Sequence, residues 1–433
     1  MARIALIGAG SGFGGRLSTD ILSFPELRDG TIALVDINQE AVNTVAGFVR
    51  QVVEAHGAPT KIEATTDRRE ALDGADYVVV AISVGGPAYN GVPFFHEIDI
   101  PRKYGVSQQI GDTLGPGGVF RTLRTAPEMI AICADMEELC PDAWLINYTN
   151  PMAMLTWAMD EASPVKKVGL CHSVQGTAWQ LSNYIGAPFE EMTYWVGGIN
   201  HMSWFLQLER AGEDAYPALR DALEDPETFK KDPVRFEVMR HFGYFVTEST
   251  PHMSEYVPYF RKRPDIMERF DLHQSTPEEK PSRPYGHWRN DKAFSKEAAQ
   301  EAAKQGPSNE YASRIIHSIE TNTLYRFNGN VRNEGLILNL PYGCCVEVPC
   351  MTDACGVRPC AVGELPVQLA ALNNANVVVQ QLTVEAVLEH DLEKAFMAVA
   401  LDPLTAAVCS LAEARAMFDE MVGALTPWLE RVM

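Results

Sequence analysis

The stretch that most narrows the possible folds is Gly8-Ala9-Gly10-Ser11-Gly12-Phe13-Gly14-Gly15, which follows a short apolar run, Ile4-Ala5-Leu6-Ile7, and precedes a helix-compatible segment, residues 16–23. Strand, glycine-rich turn and helix in that order make a phosphate cradle. The glycines let the backbone approach a pyrophosphate, and the amides at the helix start supply donors and a partial positive charge. Gly8, Gly10, Ser11, Gly12 and Phe13 are the candidate cradle residues. The next apolar run, residues 31–35, ends at Asp36, about 20 residues beyond the glycines, where a carboxylate can take both hydroxyls of an adenosine ribose. Asp36 therefore favours NAD over NADP.

Further strand-like runs at 61–64, 77–82 and 144–148 alternate with helix-like segments such as 121–139, which predicts an α/β fold with a Rossmann-like, doubly wound parallel sheet. Ligands in such sheets lie beyond the carboxyl ends of the strands. Three turns fall there: Ser83-Val84-Gly85-Gly86, Asn147-Tyr148-Thr149-Asn150-Pro151 and Cys171-His172. They are expected to converge on the nicotinamide end, with Ser83 in the cofactor site. Asn150 reads equally as a cap for a helix starting at Pro151 and as a ligand-binding residue.

A chain of 433 residues is too long for one ordinary core. A Rossmann-like domain over residues 1–195 and a smaller α+β domain over 196–433, interleaved with the first, are expected. The formal charge of -21, from 57 acidic against 36 basic residues, would repel phosphate backbones and anionic lipid, so neither nucleic acid nor membrane is an expected partner. Nine cysteines, two of them adjacent at Cys344-Cys345, suit reduced thiols better than a disulfide framework. With no export signal apparent and no apolar run of membrane-spanning length, a cytoplasmic protein is expected.

Chemistry concentrates in Gly169-Leu170-Cys171-His172-Ser173-Val174-Gln175-Gly176-Thr177, where a thiol and an imidazole follow a strand-like run. A thiolate is a soft metal ligand and an imidazole a borderline one, so Cys171 needs only one further nitrogen donor to hold a divalent ion; His201, in Gly197-Gly198-Ile199-Asn200-His201-Met202, is the candidate. Two protein ligands leave coordination positions open for substrate hydroxyls. The competing reading makes Cys171 a small buried hydrophobe. Beyond His201 the pattern is less regular. The segment 247–260 sets aromatics among polar groups, which suits either a sugar or interdomain packing. Residues 274–305 read as a charged, solvated loop and helix, 336–348 as strand with a turn, and 367–422 as mainly helical with a break near Asp402-Pro403.

In its ordered motifs the chain resembles family 4 of the glycoside hydrolases, the NAD- and metal-dependent group, and within it the bacterial α-galactosidase branch. The motifs are GAGS at 8–11, DTLGPGG at 112–118, NYTNPMAM at 147–154, GLCHSVQGT at 169–177, GINHM at 198–202, GYFVTES at 243–249 and NLPYGCCVEV at 339–348. The resemblance implies a lactate/malate dehydrogenase-like fold, a recycled NAD, a manganese or other divalent ion on Cys171 and His201, and a homodimer or homotetramer acting on a small α-glycoside. It implies oxidation at sugar carbon 3, loss of the carbon 2 proton to a base, elimination of the glycosidic oxygen, addition of water and re-reduction. The family base is a tyrosine, and the best-matching position is Tyr256, with Tyr259 as the alternative. His172 stands where the phosphosugar branch has an Asp that acts as the catalytic acid, which makes it the acid candidate, and Asn150 matches the substrate-binding Asn. Ser83 replaces the arginine that precedes Val-Gly-Gly in the phosphosugar branch, which favours a neutral sugar over a 6-phosphate. The implied activity is hydrolysis of terminal α-D-galactosides, with α-galacturonidase and α-glucosidase as rivals. Outside the family, a 2-hydroxy acid dehydrogenase is the competing function.

Overall fold

The computed structural model describes residues 1–86, 90–272 and 294–433. Their strands are β1 (Arg3–Ile7), β2 (Thr31–Val35), β3 (Lys61–Thr65), β4 (Tyr77–Val80), β5 (Trp144–Asn147), β6 (Lys166–Gly169), β7 (Met192–Ile199), β8 (Met202–Arg210), β9 (Glu213–Asp214), β10 (Tyr325–Arg332), β11 (Cys345–Asp353) and β12 (Gly356–Pro359). The first six pair in parallel in the order β3-β2-β1-β4-β5-β6, the doubly wound arrangement expected from the alternating runs. Nearly every residue of β1, β2 and β4 is buried. That is why they read as continuous apolar runs.

The sheet does not stop at β6. It continues as β10-β11-β7-β8-β9, all antiparallel, through a junction in which Asn330 of β10 is registered against Gly169 of β6. A Cβ on Gly169 would stand 2.5 Å from Met152 Sδ and 3.0 Å from Asn330 Cβ, so only glycine lets the two halves meet. The helix Met152–Ala162 packs on β6, β10 and β11 together and on the long helices Gly115–Leu139 and Val367–Glu389. One apolar core consequently runs through both halves. Among the described residues no helix is long and apolar enough to cross a membrane.

Several boundaries differ from the sequence expectation for identifiable reasons. The helix expected from residue 121 begins at Gly115, because Pro116 suits a first turn and the glycines that follow let the helix sit directly on Gly111 and Thr113. Of the span 336–348, only the part from Cys345 onward is strand. The rest is a loop wrapped around the Asn333 side chain, whose amide donates to Ile337 O (3.0 Å) and Pro341 O (3.0 Å) and accepts from Leu336 N (2.9 Å) and Ile337 N (3.0 Å). The C-terminal region breaks at Asp402, as expected, and also at Asp391 and Ser410. Each of these three side chains caps the helix that follows it. Of the charged span 274–305, residues 274–293 lie outside the described residues, while Lys296–Ala302 is helical.

One buried ion pair steadies the loop after β4. Arg124 on the helix Gly115–Leu139 reaches Glu97 through Nε (2.5 Å to Oε1) and Nη2 (3.0 Å to Oε2), and its Nη1 donates to the carbonyl of Val84. Both side chains are almost wholly buried. Glu97→Ala, which strands the guanidinium without its counter-charge, is expected to cost about 3–5 kcal/mol. The shift of the urea midpoint at unchanged m-value measures it; a cost below about 1 kcal/mol would show that the pair is not what holds this loop.

Candidate active site

The glycine turn closes onto the ends of β1 and β2. Gly8 has φ +88°, and its N–H and that of Ala9 both donate to Val35 O (2.9 and 2.8 Å). A Cβ on Gly8 would lie 2.1 Å from Ala81 O, so the turn can pass only as glycine. Gly10 N donates to Asp36 Oδ2 (2.8 Å) and Asn38 N to Asp36 Oδ1 (2.9 Å), which sets the carboxylate at the lip of the cradle. Ser11 is the extended N-cap residue of the helix Gly12–Ser23, and Phe13 in its first turn meets the Tyr148 ring edge-on at 4.9 Å. Ser83 lies half-buried on the neighbouring loop, which Thr149 Oγ1 ties down by accepting from Ile82 N (3.1 Å). A side-chain-free turn opening onto a helix start, with a carboxylate at its edge, fits the pyrophosphate and ribose of a dinucleotide.

The second corner is built where the two halves of the sheet meet. Cys171 lies two residues past β6, and His201 sits in the two-residue turn between β7 and β8 with φ +61°, a left-handed conformation that a residue with a Cβ rarely adopts. Cys171 Sγ is 3.1 Å from His201 Nε2. Bonds of about 2.3 Å to sulfur and about 2.1 Å to nitrogen, set at a right angle, would separate the two donors by about 3.1 Å, so the pair fits a shared divalent ion. The other nitrogen, Nδ1, lies 2.8 Å from Thr113 Oγ1 and 3.3 Å from the Tyr256 hydroxyl. Thr113 Oγ1 donates to Asp112 Oδ1 (2.9 Å), and Asn150 Nδ2 donates to Asp112 Oδ2 (3.0 Å). His252 Nε2 approaches Asp112 Oδ1 at 3.6 Å, its Nδ1 lying 2.8 Å from Ser249 Oγ. Asp112, His201 and His252 thus form a second possible metal set, with ligand atoms all within 4.8 Å of one another and His201 common to both.

Burial governs the charges here. It pushes the Cys171 thiol up to about 12, reinforced by the negative charges of Glu347 and Glu248. It also raises the Tyr256 phenol well above its ordinary value, with Asp112 adding to the effect. Burial works against the Asp112 carboxylate too, yet the hydrogen bond and positive field of His252, with His201 and Arg121 beyond, hold its pKa well below the carboxylate range. A divalent cation held between Cys171 and His201 would favour the ionised forms of this thiol and phenol.

The structure brings Cys171, His201, Tyr256 and, through Asp112, Asn150 into one network. Asn150 does not cap the helix after it: that helix begins at Met152, its N-cap position is Pro151, and the Asn150 amide is turned to Asp112. Of the two tyrosines, Tyr256 is 1% exposed and in the network, whereas Tyr259 is 42% exposed and packs on Phe242 and Phe260. His172 makes its contacts with other partners. Its side chain is 56% exposed, its Nε2 is 2.6 Å from Glu310 Oε2, and its ring is 6.1 Å from Tyr148, which stands between it and Phe13.

Four residues of the site carry no assignment from the sequence reading: Asp112, His252, Glu255 and Glu310. The four-residue spacing of His252 and Tyr256, which puts both on one face of the helix Thr250–Tyr256, was the available signal for one of them. Glu255 and Glu310 act through contacts more than a hundred residues away in the chain, to Gln109–Gly111 and to His172.

Residues 3–187 match the family described as "Family 4 glycosyl hydrolase", and residues 196–405 match "Family 4 glycosyl hydrolase C-terminal domain". The chain is 40% identical over 436 residues to an α-galactosidase of Bacillus subtilis (strain 168), covering 99% of each. It is equally 40% identical over 441 residues to an α-galactosidase of Rhizobium meliloti (strain 1021), covering 99% of this chain and 89% of that one. A solved 6-phospho-α-glucosidase from gut microorganisms, in complex with NAD and Mn2+, has the same fold, with a TM-score of 0.77 at 22% identity over 98% of each chain. Two family profiles that between them span most of the chain, and relatives this similar over its full length, make it a member of family 4 of the glycosyl hydrolases.

Proposed function

We propose that the chain hydrolyses terminal α-D-galactosides of the melibiose or raffinose type, with NAD in the glycine cradle and manganese or another divalent ion on Cys171 and His201. The observation that carries this is one contact set: Sγ of Cys171 and the hydroxyl of Tyr256 lie 3.1 and 3.3 Å from opposite nitrogens of the same imidazole, beyond the carboxyl ends of the parallel strands. The substrate class is supported by the two α-galactosidases to which the chain is 40% identical. It is supported also by Ser83, which offers no cation to a sugar phosphate.

When bound, the nicotinamide supplies reversible hydride acceptance at sugar carbon 3, and the divalent ion supplies the positive charge that favours ionised groups around it. The remaining work falls to the chain's own groups. Tyr256 takes the proton from carbon 2 as base, at a hydroxyl fixed by His201 and Thr113. His172, anchored by Glu310 and open on its other side, gives a proton to the departing glycosidic oxygen. Asn150, oriented by Asp112, binds a sugar hydroxyl. Gly8, Gly10, Ser11, Gly12, Phe13, Asp36 and Ser83 bind the dinucleotide. The same reading includes a cytoplasmic location, a functional division near residue 195 and a homodimer or homotetramer.

Nitrophenyl α-galactoside, α-glucoside and α-galacturonide, assayed side by side with NAD and manganese, test the substrate class. The galactoside is expected to give the highest kcat/KM, by about tenfold or more, a difference on the order of 1.4 kcal/mol in transition-state binding. Faster turnover of the uronide or glucoside would reassign the substrate. For the metal corner, Cys171→Ser and His201→Ala are expected to lower manganese affinity at least 10-fold while NAD affinity stays within about twofold, as titration calorimetry would read. Unchanged manganese affinity in both variants would remove the ion from this pair.

A further inference from the structure

The segment before the helix Thr250–Tyr256 runs alongside β8. Phe205 N donates to Phe245 O (3.0 Å), Thr247 N to Ser203 O (2.8 Å), and Ser203 N to Thr247 Oγ1 (3.0 Å). Glu248 is the next residue, so the pairing delivers it to the hairpin turn that carries His201. Three things set it apart. Its φ is +90°, the left-handed region that favours glycine. Its Oε2 is buried with no hydrogen-bond partner among the described residues. Its negative charge acts on Cys171, Tyr256 and Glu347, which places it at the same corner.

An ionised carboxylate only accepts hydrogen bonds, and leaving a buried oxygen bare is costly. Strained backbone of this kind persists where the surroundings enforce it, and it concentrates at ligand sites. The neighbouring acids are already engaged: Asp112 with Thr113 and Asn150, and Glu255 with three backbone amides. Glu347 also keeps one bare oxygen, but it lies fully buried inside β11 with its other oxygen on Ser203, whereas Glu248 is only partly buried and sits in a loop.

We propose that Glu248 is a substrate-binding residue, its Oε2 accepting a hydrogen bond from a ring hydroxyl of the terminal sugar. This rests on the reading above that the ligand is a neutral hexopyranoside, whose hydroxyls are the donors a bare carboxylate lacks. The backbone strain at this position serves to aim the oxygen.

Two variants separate that role from a structural one. Glu248→Gly removes the carboxylate while accepting φ +90° without a Cβ, so its Tm is expected to equal or exceed that of the unsubstituted chain. Glu248→Gln keeps an acceptor without the charge. With nitrophenyl α-galactoside, kcat/KM is expected to fall about 100-fold in the glycine variant and about 10-fold in the glutamine variant, with manganese and NAD affinities unchanged. Values of kcat/KM within about threefold of the unsubstituted chain in both variants would overturn the proposal. So would a loss that saturating manganese restores, which would make Glu248 a metal ligand, or a glycine variant that unfolds while the glutamine variant keeps full kcat/KM. An unsubstituted chain with no activity on any α-galactoside would instead refute the substrate reading, and this inference with it.

Discussion

The site depends on one buried carboxylate that holds backbone. Glu255, 1% exposed, accepts from three successive backbone amides, Gln109 N (2.6 Å), Ile110 N (2.9 Å) and Gly111 N (3.0 Å). Hydrogen bonds to a buried charge are among the stronger ones available to a fold. These hold the loop that leads into Asp112 and Thr113, and Glu255 immediately precedes Tyr256 in the chain. One side chain therefore fixes the spacing between Thr113 and the Tyr256 phenol. That spacing sets where the imidazole of His201 can sit.

The other constraint is topological. Cys171 follows β6, the last strand of the parallel half, and His201 turns between β7 and β8 of the antiparallel half. Only a sheet that runs unbroken through the Gly169–Asn330 junction, with Glu347 of β11 registered against Gly198 of β7, brings the two donors within 3.1 Å. The corner so formed is rich in acids. Burial raises the Cys171 thiol, with the charges of Glu347 and Glu248 adding to it, and raises the Tyr256 phenol, with Asp112 and Glu248 adding to it. A divalent cation held at this corner would oppose both shifts.

Legibility followed the range of the interactions. The parallel, doubly wound sheet rests on local pattern and is what the structure shows, and the glycine turn meets Asp36 through Gly10 N. Cys171 and His201 were legible as chemically able residues, and Tyr256 was preferred over Tyr259 by resemblance; which of these side chains touch is a property of the fold. Asp112 was hidden because its partners Asn150 and His252 are distant in the chain, and nothing near it is periodic. The helix expected from residue 121 starts earlier, at Gly115, because the glycines of this run pack against Gly111 and Thr113, which local pattern does not reveal.

The central claim is that a carbon–hydrogen bond at carbon 2 of the sugar breaks, with Tyr256 as the base. Mass spectrometry or NMR of galactose released in heavy water tests it most directly. The account requires deuterium at carbon 2 of the product, with carbon 3 retaining its original hydrogen, because water has no access to the transferred hydride. Glycosidases that use two carboxylates and an oxocarbenium-like transition state leave the carbon 2 bond intact. Full turnover with product unlabelled at carbon 2 would contradict the account.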